Sequence, residues 1–397
     1  MKSIKMSLVA ALLVGTSAFA LDNIKYNGDA KLFYGTNDFG NADLFDQAGA
    51  YGHAALDLGV TADLAGGAVA GISTTALSTL GLENNLVSGV WAAGSAATQW
   101  WVSEAYIAKT FGKTTAKIGR QTLDTPLAFT ETWNAAYNTF DAAVLLNQDI
   151  PDTTLVAAYV GKHNGATGFA VVNSAVDATG SDIDPFTTFG ADGAYAFAVV
   201  NNSFKPVTAQ AWYYNVSKLA DAIWIQADLA CEKVKGLSVG VQYASMATKG
   251  MLEGSDDSSA FAAKVGYEAE KFSVSAAFSQ TDEKGTLQIA NVATGAGGGA
   301  ASKLYTEAWW NFGYVGAADT TAMNLTATYD AGFAGLGAYV TTASTDKAAT
   351  DMMEVTLEAT KSFDAIDAGL YYILTDADLD NGGDAYNTVQ VYLTYNF

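Results

Sequence analysis

The stretch Tyr386-Asn-Thr-Val-Gln-Val-Tyr-Leu-Thr-Tyr-Asn-Phe397 decides how the rest of the chain is read. Val389, Val391, Leu393, Tyr395 and Phe397 share one face of an extended chain, and Thr388, Gln390, Tyr392, Thr394 and Asn396 share the other. Side chains alternate across a strand with period two, so this is a strand with one apolar and one polar surface. A membrane-crossing strand in a tilted barrel takes about 9–11 residues, and this stretch supplies that length. It ends on aromatics, where an interfacial girdle would lie. Taken alone it also fits the edge of a soluble sandwich. An apolar, uncharged strand left at an exposed edge invites aggregation, so it must be paired, most simply with the first strand of the chain.

Upstream, the same alternation repeats. Ile223, Ile225, Ala227, Leu229 and Cys231 alternate with Trp224, Gln226 and Asp228. After the tight Lys233–Gly236 turn, Leu237, Val239, Val241 and Tyr243 alternate with Ser238, Gly240 and Gln242. Phe261, Ala263, Val265 and Tyr267 oppose Lys264 and Glu268, and Met353, Val355 and Leu357 oppose Glu354, Thr356 and Glu358. Strands joined by so few residues are antiparallel hairpins. No stretch carries a 3.6-residue pattern, so the chain is all-β.

Nineteen strand candidates start near residues 24, 50, 67, 100, 113, 139, 153, 194, 207, 222, 237, 259, 271, 303, 321, 333, 352, 366 and 386. Both faces look apolar in the strands near Gly67 and Thr153. Bacterial single-chain barrels have even strand numbers, short periplasmic turns and long extracellular loops. Long and short connections alternate correctly until Leu304–Tyr314, whose Trp309-Trp310 pair also breaks the alternation. Demoting that segment restores the order. The expectation is a transmembrane antiparallel β-barrel of about eighteen strands, with residues 282–320 as one long Gly-rich loop and a bore wide enough for water. All four prolines (Pro126, Pro151, Pro185, Pro206) fall in connections, as their missing amide donor requires of a closed sheet.

Residues 1–20 carry Lys2 and Lys5, the apolar run Met6 to Val14, and Ala18-Phe19-Ala20. That is the pattern of a cleaved secretory signal peptide, which leaves residues 21–397 as a single barrel domain. The run is too short to span a membrane as a helix. Charged residues make up only 15% of the chain, against about 25% in ordinary soluble domains. Without Lys2 and Lys5, 18 basic residues face 41 acidic ones, a balance of −23. Nucleic acid is excluded as a partner, because phosphate binding needs a basic surface. The single Cys231 excludes an internal disulfide framework and a cysteine metal cluster.

The segment Ser103 to Pro126 holds Glu104-Ala105-Tyr106, Gly119-Arg120-Gln121 and Leu123-Asp124-Thr125-Pro126. These motifs resemble the Opr-type (OprD-like) outer-membrane porins. The continuation through Thr139-Phe140-Asp141-Ala142-Ala143-Val144 to Tyr159-Val160-Gly161-Lys162-His163-Asn164-Gly165 looks closest to the campylobacterial major outer membrane porins. The resemblance implies an eighteen-stranded homotrimeric porin whose pore is narrowed by loops folded into the lumen. It also implies lipid and lipopolysaccharide as surroundings and the β-barrel assembly machinery as a partner. Val391, Leu393, Tyr395 and the terminal Phe397 resemble the assembly signal of bacterial outer-membrane barrels.

Arg120 is the only arginine. It is a candidate fixed cation at the constriction, facing Asp124 and Glu131 in the following loop. It is equally a candidate anchor, holding that loop to the wall by forked hydrogen bonds. Arg120 shares parity with Ala116 and Ile118, so it reaches the lumen only past a bulge near Gly119. Asp228, Lys264, Glu268, Glu354 and Glu358 fall on the expected lumen parity. Asp376-Ala-Asp-Leu-Asp-Asn-Gly-Gly-Asp384 superficially suggests a calcium loop, but an EF-hand needs Gly at its sixth position and Glu at its twelfth, where Asn381 and Asn387 stand. A looser divalent-cation site, such as one for calcium, on Asp376, Asp378, Asp380 and Asp384 stays open beside a merely solvated acidic loop. No other cofactor is expected.

No enzyme is expected either. Gly236-Leu-Ser-Val-Gly240 matches a nucleophile elbow by letter, yet Ser238 sits inside an alternating strand and not at a strand-to-helix turn. The expected function is a diffusion porin for small hydrophilic solutes and ions, preferring cations. The alternatives are a substrate-selective outer-membrane channel and a surface adhesin or structural barrel.

Overall fold

A computed structural model of the protein describes residues 22–82, 85–88, 99–165, 186–294, 300–345 and 350–397. The expected leader, residues 1–20, and Pro185 lie outside the described residues. The strands are β1 (Asp22–Asn37), β2 (Ala50–Leu64), β3 (Ala68–Ser78), β4 (Gln99–Phe111), β5 (Thr114–Gln121), β6 (Phe140–Asn147), β7 (Thr153–His163), β8 (Thr187–Thr188), β9 (Ala194–Asn201) and β10 (Val207–Val216). They continue as β11 (Ala220–Ala230), β12 (Leu237–Thr248), β13 (Ser258–Glu268), β14 (Phe272–Thr281), β15 (Thr320–Asp330), β16 (Gly335–Thr345), β17 (Thr350–Phe363), β18 (Ile366–Ala377) and β19 (Tyr386–Asn396). β8 is a two-residue ladder on Lys162 and His163. The other eighteen strands form a closed antiparallel barrel. Every expected start except 303 is matched within two residues, and Leu304–Tyr314 is not a strand.

Closure is made by the C-terminal strand. β19 pairs antiparallel with β1 from Asp29↔Asn396 to Asn37↔Thr388. Phe397 extends the ladder, exchanging backbone hydrogen bonds of 3.0 Å with Gly28 in both directions. A closed sheet leaves no edge and satisfies every strand's backbone donors and acceptors, the condition for crossing lipid.

The two parities separate as the alternation requires. Ile225 is 49% exposed on the outside while its neighbour Trp224 is fully buried inside, and Leu393 and Tyr395 face outward while Gln390 is buried. Cys231 falls one residue past β11 and is half-buried. Among the described residues three register shifts interrupt the ladders, between Asp22 and Lys25 against β2, between Ser73 and Thr74 against β4, and between Asp141 and Ala142 against β7. The buried core is not between sheets. It lies in the bore, where two inward-folded loops pack on the wall.

Candidate functional site: a bore narrowed by two loops

The first loop, residues 122–139, leaves β5 and crosses to the wall formed by β19, β1 and β2. There Tyr392 donates its hydroxyl to the Trp133 carbonyl at 3.0 Å, and Lys31 Nζ donates to the Ala135 carbonyl at 3.4 Å. His53 Nε2 lies 3.0 Å from Asn134 Oδ1. Ala135 and Ala136 pack on Ala55, Leu77 and Trp101. This explains the apolar inner face of β3: at that point the wall faces a loop and not water.

The second loop, residues 282–319, leaves β14 and fastens to several strands, among them β17 and β12. On β17 the Glu354 carboxylate, 1% exposed, accepts three successive backbone N–H groups, of Trp309, Trp310 and Asn311, at 2.7–3.2 Å. Asn311 Nδ2 at 2.9 Å and the Thr356 hydroxyl at 3.1 Å complete its shell. A concave run of backbone donors is an anion nest, so a strand carboxylate clamps the loop. Across the bore, Gln242 accepts the Tyr305 N–H at 3.1 Å and donates to the Lys303 carbonyl at 2.9 Å. The Tyr305 hydroxyl donates to Asp228 at 2.6 Å, and Lys264 Nζ stands 4.3 Å from the centre of that ring. Gly240 makes the room, because a Cβ there would collide with the Tyr305 hydroxyl. Within the loop, Glu307 is held by the Ser302 and Ala308 N–H groups, and burial pushes its carboxyl up to about 7.

The loops are also joined to each other. Glu131, buried, accepts from Asn291 Nδ2 at 2.8 Å, the Thr294 hydroxyl at 2.6 Å and Trp133 Nε1 at 2.9 Å. Val292 N–H donates to the Leu127 carbonyl at 2.9 Å, and Lys303 pairs with Asp124. Among the cavities around this seam, two share an aromatic lining. An outer one of about 1230 Å³ is bounded by outer-loop residues such as Asp256, Glu283, Asp319 and Asp380, and an inner one of about 610 Å³ by Ser362, Asp367 and Tyr371 among others. Trp133 and Trp310 line both. They meet edge to face at 5.6 Å, with Phe312 5.9 Å from Trp133. The section where the two cavities share their lining is therefore aromatic.

Arg120 is not at this neck. It keeps the outward parity of Ile118, which is 61% exposed, despite the unusual φ of +123° at Gly119. Its guanidinium forks onto Asp141 at 2.8 and 3.2 Å, donates to the Val102 carbonyl at 3.0 Å and lies 3.3 Å from the Phe186 ring centre. Arg120 therefore does not face Asp124 or Glu131 as expected: Asp124 pairs with Lys303, and Glu131 joins the seam between the loops inside the bore. Of the expected lumen charges, Glu354 and Asp228 face inward but are taken up by loop contacts, and Glu358 accepts the Tyr339 hydroxyl at 2.9 Å. Glu268 is exposed at the inner end of β13.

Among the described residues no three His, Cys, Asp or Glu side chains come together as a metal site, and Asp376, Asp378, Asp380 and Asp384 form no such group. Asp378 accepts the Asp351 N–H at 2.8 Å, while Asp380 lines the outer cavity. Sequence reasoning missed Trp133, Trp310 and Phe312 as the neck. The signal was present in the broken alternation at Trp309-Trp310, which marks a segment that leaves the wall.

No family profile and no curated protein matches the chain. Solved structures do. OccAB4 of Acinetobacter baumannii superposes with a TM-score of 0.73 at 12% identity, covering 95% of this chain and 98% of that one. OccK8 (OprE) of Pseudomonas aeruginosa gives 0.72 at 13%, covering 94% and 98%. The P. aeruginosa outer membrane protein OpdK gives 0.71 at 13%, covering 94% and 99%, and has also been solved with vanillate. At such identities the likeness is one of fold: the chain shares the barrel architecture of these bacterial proteins.

Proposed function

We propose that the chain is an OprD-like porin of a bacterial outer membrane, a water-filled channel through which small hydrophilic solutes diffuse and cations pass preferentially. The observation that carries this reading is the pair of cavities inside a closed eighteen-strand barrel, meeting at a neck set by two fastened loops. The likeness to the OccK-type channels supports it, as do the motifs between Ser103 and Pro126. The closer kinship to campylobacterial porins rests on the sequence motifs alone. The outer cavity brings Asp256, Glu283, Asp319 and Asp380 against Lys284, which favours cations at the mouth. A homotrimer, a lipopolysaccharide surround and delivery by the β-barrel assembly machinery belong to the same proposal.

A substrate-selective channel is the second reading, and the aromatic neck favours it, since passive salts need no ring surface. Reconstitution in planar bilayers tests the channel reading. A steady single-channel current with a zero-current potential reporting cation preference is expected. A barrel that inserts but passes no steady current sinks the channel and leaves an adhesive or structural barrel.

A further inference from the structure

The neck has a chemistry that bulk diffusion does not require. Trp133, Trp310 and Phe312 are half-buried and line the outer cavity. Below them Trp309 lies 4.5 Å from Tyr371, and Tyr371 meets Tyr392 edge-on at 5.5 Å, so aromatic surface continues into the inner cavity. Above them the outer cavity holds four carboxylates and one ammonium. Ring faces attract cations, Trp most strongly, and more so where water is excluded.

Three classes of solute would use ring surface differently. A neutral sugar would lie on the rings but gain nothing from the carboxylates. An aromatic acid would lie on the rings and be repelled by the same carboxylates. An ammonium ion whose charge is spread over alkyl groups gains from both and surrenders little hydration. The chain's own lysines make this contact elsewhere in the bore, Lys264 on Tyr305 at 4.3 Å and Lys303 on Phe129 at 4.9 Å.

We propose that the neck and the outer cavity form a binding site for small quaternary or ring-bearing ammonium ions, held on Trp133 and Trp310 as they pass. This deepens the channel reading and rests on it for passage, though not for binding. Glu354 acts as a positioning residue, because its carboxylate fixes the backbone of Trp309 and Trp310.

The full chain in detergent is titrated calorimetrically with tetraethylammonium, glucose and benzoate, and the same solutes are added to the outer side of single channels in potassium chloride. Tetraethylammonium should bind and reduce the current, whereas glucose and benzoate should do neither. Trp310→Ala should weaken the binding about 2- to 30-fold, the range of a cation–ring contact. Phe312→Leu, a milder change, should weaken it in the same direction and serves if Trp310→Ala does not insert, as judged by heat-modifiable mobility. Glucose or benzoate binding as tightly as tetraethylammonium, or an affinity unchanged in both variants, overturns the proposal. Binding through Trp310 in a barrel that passes no current sinks the channel and keeps the site. A conducting barrel that ignores tetraethylammonium does the reverse.

Discussion

Ile225 and Gln242 lie on neighbouring strands and meet different surroundings. Ile225, midway along β11, faces lipid, so Ile225→Lys should cost about 2–4 kcal/mol of barrel stability near the midplane. Val241→Lys should behave alike. Gln226→Lys should cost much less, since Asp228, 2.7 Å from the Gln226 amide, can receive the ammonium. Unfolding of the barrel from lipid vesicles by denaturant measures all three, and equal losses on both parities would overturn the inside–outside assignment. Gln242 departs from the simple expectation that inward means wet. It is 3% exposed and grips Lys303 and Tyr305, so Gln242→Lys should leave the barrel folded while releasing the loop. Alternation makes the facing of a residue legible because it depends only on local strand geometry. What stands across the bore is set by chain tens of residues away, which is why the grip of Gln242 on Lys303 and Tyr305 could not be read from its own strand.

At the scale of elements, β19 and the second loop each carry a prediction. β19 closes the barrel and ends on the Phe397–Gly28 pairing. Phe397→Asp should impair assembly, seen as loss of heat-modifiable, membrane-inserted protein; a normal yield would count against the terminal strand as an assembly signal. In the second loop, burial raises the Glu307 carboxyl from its ordinary 4.5 to about 7. The fold therefore favours the protonated acid, and this stabilisation is complete below 4.5 and is lost as pH rises through 7. Current noise should be greater at pH 8 than at pH 5, and Glu307→Gln, neutral throughout, should abolish the difference. Equal noise at both pH values in the unchanged protein would show that Glu307 does not control the loop's hold. The strands were legible because lipid imposes a strict period. The loops were legible only in part: the apolar inner face of β3, where Leu77 meets Ala135, and that of β7, where Val160 joins the cluster of Ala128 and Val292, were traces of inward packing that the sequence alone leaves ambiguous.

For the whole molecule, charge and mechanics matter more than any one contact. Cation preference should be moderate near 0.15 M salt, where screening acts over about 8 Å, and should fade near 1 M, where it acts over about 3 Å. The zero-current potential across a salt gradient checks this; anion preference, or selectivity indifferent to salt, would transfer control to the lysines of the bore. Glu354 and Asp228 add less to the wall potential than their parity suggested, because loop donors already surround them. The two loops have a further consequence. A one-layer cylinder is stiff along its strands but flattens easily under sideways load. Here one loop runs from β5 to the β19–β1–β2 wall, the other is clamped to β17 and β12, and Glu131 fastens them together in the middle. The pair works as a cross-brace. The bore's width is held by a strut spanning the cylinder, so lateral squeezing by the bilayer is borne by the loops before it can change the section through which solutes pass.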